Sequence, residues 1–163
     1  MEPVRLAILT VSDGVSRGAR VDRSGEILAA WATARGFVLA ARATVPDDAD
    51  AIATRLAAWC DDGVADVVVT TGGTGFTVRD VTPEATRSVC DRDVPGIAEA
   101  MRAYSMTKTR RAMLSRAVCM QRGATLVVNF PGSTKAAREC WEAIADQLEH
   151  AASMTAGGGH PAP

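Results

Sequence analysis

The residues best suited to chemistry form the stretch TTGGTG at 70–75, which follows a run of three valines at 67–69. Gly72, Gly73 and Gly75 lack side chains, so the backbone can take positive φ angles and direct several N–H groups at one anion. The valine run predicts a strand that is buried on both faces of a parallel sheet. We therefore predict a phosphate-binding turn at the end of a buried strand.

Aspartates accompany this turn and two other predicted strand ends. Asp80 follows the turn, Asp13 follows a strand at 5–11, and Asp47 follows a strand at 37–45. Magnesium prefers oxygen ligands and usually takes one or two carboxylates besides the phosphates of a substrate. Asp47 and Asp80 are therefore candidate catalytic residues and Mg²⁺ ligands, whereas capping of the next helix explains Asp13 and Asp47 equally well.

The segment after Asp80 predicts the start of a helix. Thr82 offers a hydroxyl suited to the N-cap, Pro83 suits the first helical position, and Glu84 is an acid in the first turn. Because Thr82 would take the capping position, Asp80 is left available for a ligand.

Predicted strands and helices alternate along the chain. The strands are expected at 5–11, 37–45, 67–69, 117–121 and 125–130, and a short turn joins the last two as a hairpin. The helices are expected at 25–35, around 52–59, at 83–90, around 97–104 and at 134–154. This order indicates an α/β fold, a three-layer α/β/α sandwich with a mostly parallel sheet and a C-terminal hairpin.

Ligands of such sheets bind beyond the carboxyl ends of the strands. These ends lie at 12–13, 46–47, 72–80 and 131–133, so we expect them to converge on one cleft. The hydroxyls of Thr71, Thr74 and Ser133 would add to the backbone donors of the glycine turn.

The composition fits a single domain. The chain has 163 residues, of which 47% are hydrophobic, and this is enough to bury an ample core. We predict one domain over 1–155 and a flexible tail at 156–163 that contains His160. The four cysteines form no CxxC pair, so we expect buried free thiols rather than a zinc or redox site.

Charge and hydropathy argue against two classes of partner. The net charge is −1 and aromatic residues make up 4% of the chain, so we expect no binding of nucleic acid. No apolar segment approaches the roughly 20 residues that span a bilayer, and no signal-peptide pattern opens the chain. We therefore expect a cytoplasmic protein without membrane contact.

Two features also resemble short-chain dehydrogenases, namely the glycine stretch and the pair Tyr104 and Lys108 at Tyr-x-x-x-Lys spacing. A dinucleotide fingerprint, however, follows the first strand and opens a helix at once. Here two βα units precede the glycines and the next helix is delayed. Nicotinamide binding is therefore rejected, and Tyr104 is predicted to lie on a helix face in the core.

The densest positive run of the chain lies at 107–116 and contains Lys108, Arg110, Arg111 and Arg116. A solvated basic face is the common explanation of such a run. Contact with a phosphate is the alternative, because the run lies just before the last two strands.

With these motifs, the chain resembles the molybdenum cofactor biosynthesis family of MogA and MoaB, which includes the G domain of gephyrin. The resemblance covers nearly the whole chain. It rests on LTVSD at 9–13, DRSG at 22–25, VPD at 45–47, TTGGTG at 70–75, RDVTPE at 79–84, PGIAEAMR at 95–102, LSR at 114–116 and NFPG at 129–132.

The resemblance implies a homotrimer that binds molybdopterin and, in MogA-type members, transfers AMP from Mg-ATP to the terminal phosphate of molybdopterin with release of pyrophosphate. Residues 71–75 would hold nucleotide phosphates, and Asp47 and Asp80 would hold Mg²⁺ or orient the reacting phosphates. The binding candidates, from the strand ends and from the resemblance, are Ser12, Asp13, Thr71, Gly72, Gly73, Thr74, Gly75, Glu99, Arg102, Ser115, Pro131, Gly132 and Ser133.

MoaB-type members share most of these blocks. A protein that binds or carries molybdopterin, or that has a regulatory role without adenylyl transfer, is therefore the alternative to the enzyme. In both cases the expected partners are small molecules and copies of the same chain, together with other proteins of the molybdenum cofactor pathway.

Overall fold

The computed structural model describes residues 2–158. Of the predicted tail, 159–163 with His160 lies outside the described residues. The strands are β1 (Arg5–Val11), β2 (Val38–Val45), β3 (Val67–Thr71), β4 (Arg92–Asp93), β5 (Cys119–Arg122) and β6 (Thr125–Phe130). The α-helices are α1 (Asp13–Ser16), α2 (Arg23–Ala34), α3 (Ala49–Asp61), α4 (Thr82–Val89), α5 (Pro95–Met106), α6 (Thr134–Ile144) and α7 (Leu148–Thr155). Two 3₁₀ segments lie at Arg110–Leu114 and Ala145–Gln147.

The six strands form one sheet in the order β2-β1-β3-β6-β5-β4. β2, β1, β3 and β6 are parallel neighbours, whereas β5 pairs antiparallel with both β6 and β4. The mostly parallel sheet and the β5–β6 hairpin that the sequence predicts are confirmed. The short strand β4 was not predicted, because two residues carry no periodicity.

Helices cover both faces of the sheet. Alternate residues of β1 face opposite layers: Leu6 and Ile8 pack in a core with α2, α5, α6 and α7. Ala7 and Leu9 pack in a second core with α3 and α4. The valines of β3 divide in the same way and are fully buried, as the strand pattern predicted. The three-layer sandwich therefore holds the parallel strands rigidly from both sides.

The predicted helix at 134–154 is interrupted. Ile144 has φ −129° and ψ −11°, outside the helical range, and a 3₁₀ turn follows before α7 begins. Ala145 and Leu148 remain buried across the break. The prediction of one continuous helix was therefore wrong, because the apolar period persists through a change of backbone conformation.

The N-cap prediction for Thr82 was also wrong. Val81 occupies the N-cap of α4, and Thr82 lies inside the helix, fully buried. Its hydroxyl instead donates a hydrogen bond of 2.9 Å to the backbone carbonyl of Gly72. The hydroxyl of Thr82 thus pairs with a buried carbonyl of the glycine turn. Leaving that carbonyl unpaired would cost more free energy than leaving N–H groups at a helix end near solvent, where water can accept from them.

All four cysteines are free, with Cys119 and Cys140 buried and Cys60 and Cys90 half-buried. Burial raises the pKa of the Cys60 thiol to about 11, so the thiolate form is disfavoured.

Within residues 2–158, no helix is long and apolar enough to cross a bilayer.

Candidate functional site

The strand ends meet in one cleft because the strands end level with one another. Val11 pairs with Val45, Thr10 with Thr71, and Thr71 with Phe130 in the sheet register. The strand-end cleft has a volume of about 630 Å³. Of the predicted site residues, it is lined by Ser12, Asp47, Thr71, Gly72, Gly73, Asp80, Gly132 and Ser133.

Asp13 and Asp47 lock the ends of β1 and β2 together. The backbone N–H of Asp13 donates to Asp47 Oδ2 at 2.9 Å, and the N–H of Asp47 donates to Asp13 Oδ1 at 3.0 Å. Arg79 reaches across from the loop after the glycine turn and donates to both oxygens of Asp13, at 2.9 and 3.0 Å. Asp13 is thus an anchor for two loops, and it does not cap α1, where Ser12 is the N-cap.

The glycine turn fits tightly against the neighbouring strand ends. Gly72 has φ +105°, and a Cβ built there would lie 2.2 Å from the carbonyl oxygen of Val11. Across the turn, a Cβ on Gly132 would come within 3.3 Å of the Cα of Gly72. Only a residue without a Cβ atom can lie this close to the Val11 carbonyl, so the turn requires glycine at position 72.

The carbonyl groups of the turn are all held by donors of the protein. The Gly72 and Gly73 carbonyls accept from the hydroxyl and the N–H of Thr82, at 2.9 and 3.2 Å. The Thr74 and Gly75 carbonyls accept from the N–H and the Nε of Arg116, at 3.0 and 2.7 Å. Four successive carbonyls therefore point away from the site and into the protein.

The N–H groups of Gly73, Thr74 and Gly75 donate no hydrogen bond within residues 2–158. Three neighbouring donors without acceptors, on a backbone whose carbonyls are fixed, are suited to bind an anion as a nest. We call these three N–H groups the phosphate nest. The turn that the sequence predicted thus has free donors, and its binding of phosphate stays a prediction.

Arg116 holds the phosphate nest in place, although the sequence analysis placed it in the basic run and in the LSR block without assigning it a role. Besides Gly75, its guanidinium donates to the backbone carbonyl of Asp80 at 2.8 Å and pairs with Glu84. Arg116 and Glu84 thus tie the loop between the glycine turn and α4 to the segment before β5. The spacing along the chain gives no sign of these contacts.

Asp47 and Asp80 each use one carboxylate oxygen to hold the loops. Oδ2 of Asp47 accepts from Asp13, and Oδ2 of Asp80 accepts from the N–H and hydroxyl of Thr77, at 2.9 and 2.8 Å. The Oδ1 oxygens of both accept no hydrogen bond within the described residues. Both side chains border the turn, because a Cβ on Gly73 would lie 3.3 Å from Asp47 Oδ1, and one on Gly75 would lie 2.8 Å from Asp80 Oδ2.

This donor set suits Mg²⁺ only together with a substrate. Within residues 2–158, no three histidine, cysteine, aspartate or glutamate side chains gather into a metal site. Two carboxylates, each with a free oxygen beside a phosphate nest, match the way Mg²⁺ is held by one or two carboxylates and substrate phosphates. The residues present therefore fit a metal that arrives with a polyphosphate.

The pKa values of the two neighbouring carboxyl groups Asp47 and Asp13 shift in opposite directions. Burial raises the pKa of Asp47, and repulsion from Asp13 and Asp80 adds to the rise, while the backbone hydrogen bond from Asp13 opposes it. The hydrogen bonds from Arg79, in contrast, lower the pKa of Asp13. A cation beside Asp47 would relieve both the burial cost and the repulsion.

The hydroxyl residues Ser12, Thr71 and Ser133 line the cleft, and their side chains also make hydrogen bonds that hold the fold. Ser12 and Ser133 accept from backbone N–H groups as the N-caps of α1 and α6. Thr71 donates to the carbonyl of Pro131 at 2.9 Å, which joins the ends of β3 and β6. The N-terminus of α6, an 11-residue helix, therefore faces the cleft at Ser133 and favours anions there.

A second cavity of about 440 Å³ adjoins the cleft. It lies between α5, α6 and the 3₁₀ segment Arg110–Leu114, and Ser133 lines both spaces. Of the predicted site residues, its walls also include Thr74, Gly75, Arg102, Ser115 and Pro131. Glu99 lines neither space and lies in a groove of about 230 Å³ that Arg102 also lines.

Three charged residues that line the second cavity were not predicted as site residues, namely Arg111, Lys135 and Glu139. Arg111 comes from the basic run, so part of that run faces a cavity rather than open solvent.

Tyr104, the tyrosine of the dehydrogenase-like Tyr-x-x-x-Lys pair, is half-buried on α5 and donates to Glu142 at 2.8 Å. Neither cavity is lined by Tyr104.

A three-layer α/β domain with free N–H donors and two carboxylates at its strand ends is the arrangement expected of proteins that bind phosphorylated ligands. The family model described as "Probable molybdopterin binding domain" matches residues 7–150. The chain therefore belongs to this molybdenum cofactor biosynthesis family, as the sequence motifs indicated.

Individual relatives support the assignment. The chain is 36% identical over 161 residues to a molybdopterin adenylyltransferase of Helicobacter pylori, covering 96% of this chain and 90% of that protein. It is 39% identical to the molybdenum cofactor synthesis protein cinnamon of Drosophila melanogaster, but spans only 26% of that protein's length and 94% of its own. The solved structure of the molybdopterin biosynthesis enzyme MoaB of Thermus thermophilus is similar with a TM-score of 0.89 and 45% identity, covering 94% of this chain and 97% of that one.

Proposed function

We propose that the protein is a nucleotidyltransferase of molybdenum cofactor biosynthesis, which transfers AMP from Mg-ATP to the terminal phosphate of molybdopterin and releases pyrophosphate. The observation that carries the proposal is the phosphate nest, set between Asp47 and Asp80 with its donors free. The relatives named molybdopterin adenylyltransferase support the reaction.

Each group of the site has a task in this reaction. The phosphate nest would donate hydrogen bonds to the phosphates that react, and the N-terminus of α6 at Ser133 would add a further positive field. Two substrates held at the cleft and at the second cavity would bring their phosphates together at the glycine turn, which borders both. Positioning of this kind, with neutralisation of charge, supplies most of the catalysis in phosphoryl transfer.

Asp47 and Asp80 would hold Mg²⁺ through their free Oδ1 oxygens. The metal neutralises charge on the phosphates of ATP when it is bound. Arg79 holds Asp13, and Asp13 holds Asp47 through two backbone hydrogen bonds, so the position of Asp47 is fixed before the ligand arrives.

The alternative is a protein that binds or carries molybdopterin, or acts as a regulator, without adenylyl transfer. The motif blocks that the chain shares with MoaB-type members keep this alternative open. Both functions need the nest, but only the transfer needs both carboxylates.

Pyrophosphate release separates the two functions. The pure protein is incubated with Mg-ATP, with and without molybdopterin, and pyrophosphate is measured by a coupled assay. We expect release that requires both molybdopterin and Mg²⁺. Binding of molybdopterin with no release of pyrophosphate would establish the carrier and contradict the enzyme.

Gly75→Ala is expected to reduce this activity while leaving the fold stable. Gly75 has no positive φ, so alanine causes no backbone strain, but its Cβ would lie 2.8 Å from Asp80 Oδ2 and displace that carboxylate. Because small displacements of reacting groups are costly, we expect turnover to fall by about tenfold to 100-fold. Steady-state rates and thermal melts of both proteins measure this.

Gly96→Ala is the matched control for this variant. A Cβ on Gly96 meets nothing within 4 Å, and the residue lies in the first turn of α5 and lines neither the strand-end cleft nor the second cavity. Both variants should melt close to the wild type, and only Gly75→Ala should lose activity. Equal activity of the two would show that the position of Asp80 does not matter.

The trimer, the cytoplasmic location and contacts with other proteins of the pathway remain predictions from the resemblance and the composition. Light scattering of the purified protein tests the trimer by measuring its mass in solution. A mass three times the chain's 17.0 kDa is expected.

A further inference from the structure

Glu139 is a buried acid without a partner. Glu139 is only 6% exposed, yet its carboxylate accepts no hydrogen bond and forms no ion pair within residues 2–158. Acidic residues with so little exposed surface are usually paired with another group of the protein. An explanation for Glu139 must therefore be sought in what it faces.

The carboxylate of Glu139 opens onto the second cavity. Glu139 lines that cavity from α6. Among the described residues, every side-chain oxygen or nitrogen that is fully buried has a hydrogen-bond partner. The oxygens of Glu139 have no partner, so they cannot be fully buried. The space that they can reach is the second cavity, which Glu139 lines. A ligand there would find an acceptor ready for its hydrogen-bond donors.

The rest of the cavity suits a flat ring with a phosphate attached. Its walls are mostly apolar, with Ala98, Met101 and Leu114 among them. Its volume of about 440 Å³ lies within the range of about 300–1,000 Å³ that is usual for small-molecule sites. Arg111 and Lys135 line it as cations, and its walls at Thr74 and Gly75 belong to the phosphate nest.

The chemistry of a carboxylate decides which ring edge fits. A carboxylate only accepts hydrogen bonds, and two parallel N–H donors suit it best. The aminopyrimidinone edge of a pterin presents such a pair, its ring N3–H and its 2-amino group. On adenine, each N–H donor of the 6-amino group lies beside a ring nitrogen whose lone pair would face the carboxylate.

We propose that Glu139 recognises the aminopyrimidinone edge of the pterin, with the ring in the second cavity and its phosphate directed to the nest. The inference rests on the proposed function, since it names the substrate group that this part of the site takes. Glu139 then determines the specificity for the pterin, and the nucleotide occupies the strand-end cleft.

Two ring compounds test the proposal on the whole protein. Intrinsic fluorescence of the ligands follows the binding of 6-hydroxymethylpterin and of the matching lumazine, in which an oxygen replaces the 2-amino group. The wild type should bind the pterin at least about tenfold more tightly, since the lumazine oxygen would face the carboxylate. Glu139→Gln should weaken pterin binding by about tenfold to 100-fold and remove most of the preference.

Glu142→Gln is the matched control, an exposed acid on the same helix that contacts Tyr104 outside the cavity. It should bind both compounds as the wild type does. Glu139→Gln should melt no lower than the wild type, because no structural partner is lost; a lower melting temperature would indicate a structural role. Unchanged pterin binding in Glu139→Gln, no binding of pterin to the wild type, or loss of AMP binding instead would each overturn the proposal.

The failure of this inference is distinguishable from failure of the proposed function. Pyrophosphate release that depends on molybdopterin, with no preference for pterin over lumazine, overturns only the role of Glu139. Pterin binding that depends on Glu139, with no pyrophosphate release, overturns only the adenylyl transfer.

Discussion

Asp80→Asn is expected to reduce turnover by about 10²- to 10³-fold, the usual cost of losing one charged or donating group that acts on the transition state. The fold should survive, because the amide oxygen of asparagine can still accept from the N–H of Thr77. A neutral amide is a poor ligand for Mg²⁺, so the free Oδ1 position would no longer support the metal. Pyrophosphate release measured over a Mg²⁺ titration should show a lower rate and a weaker dependence on metal.

Asp62→Asn provides the control for this charge change. Asp62 is exposed at the C-terminal end of α3 and does not line the strand-end cleft. Its variant should keep the wild-type rate. If Asp80→Asn also kept that rate, Asp80 would have no part in the reaction.

Gly72→Ala is expected to destabilise the protein by at least about 3 kcal/mol, since strain at a positive φ adds to a steric clash. The φ of +105° is unfavourable for alanine, and its Cβ would lie 2.2 Å from a backbone oxygen, where no side chain can move aside. For a chain of this length, such a loss lowers the melting temperature by roughly 6–12 °C. Calorimetry of the variant measures it.

Gly36→Ala separates strain from clash. Gly36 has φ +90°, but a Cβ there meets nothing within 4 Å. Alanine should therefore cost only about 1–2 kcal/mol, the conformational part alone. Equal melting temperatures for the two variants would mean that Val11 and the turn can move apart, and that the turn is not rigid.

The sequence predicted the strand-end cleft because the cleft follows from local patterns. Each parallel strand ends in turn residues, and parallel strands place such ends on one edge of the sheet. Asp47, Asp80 and the glycines were chosen as candidates in this way. Their free oxygens and free N–H groups depend on distances across the fold, and only the structure supplies those.

The second cavity could not be predicted, because its polar residues look ordinary in sequence. Glu139 precedes Cys140 and Trp141 on α6 and carries no motif of its own. That it is buried and has no partner depends on how α5, α6 and a 3₁₀ turn pack. Arg116 likewise lies in a basic run and in the LSR block, and neither pattern indicates its contacts with the loop after the glycine turn.

The fate of labelled phosphate tests the central claim most directly. The protein is incubated with Mg²⁺, molybdopterin and ATP labelled either at the α- or at the γ-phosphate, and the pterin product is separated. Adenylyl transfer predicts α-label in the pterin and γ-label in pyrophosphate. Label from the γ-phosphate in the pterin, or no label in it from either ATP, would contradict the account.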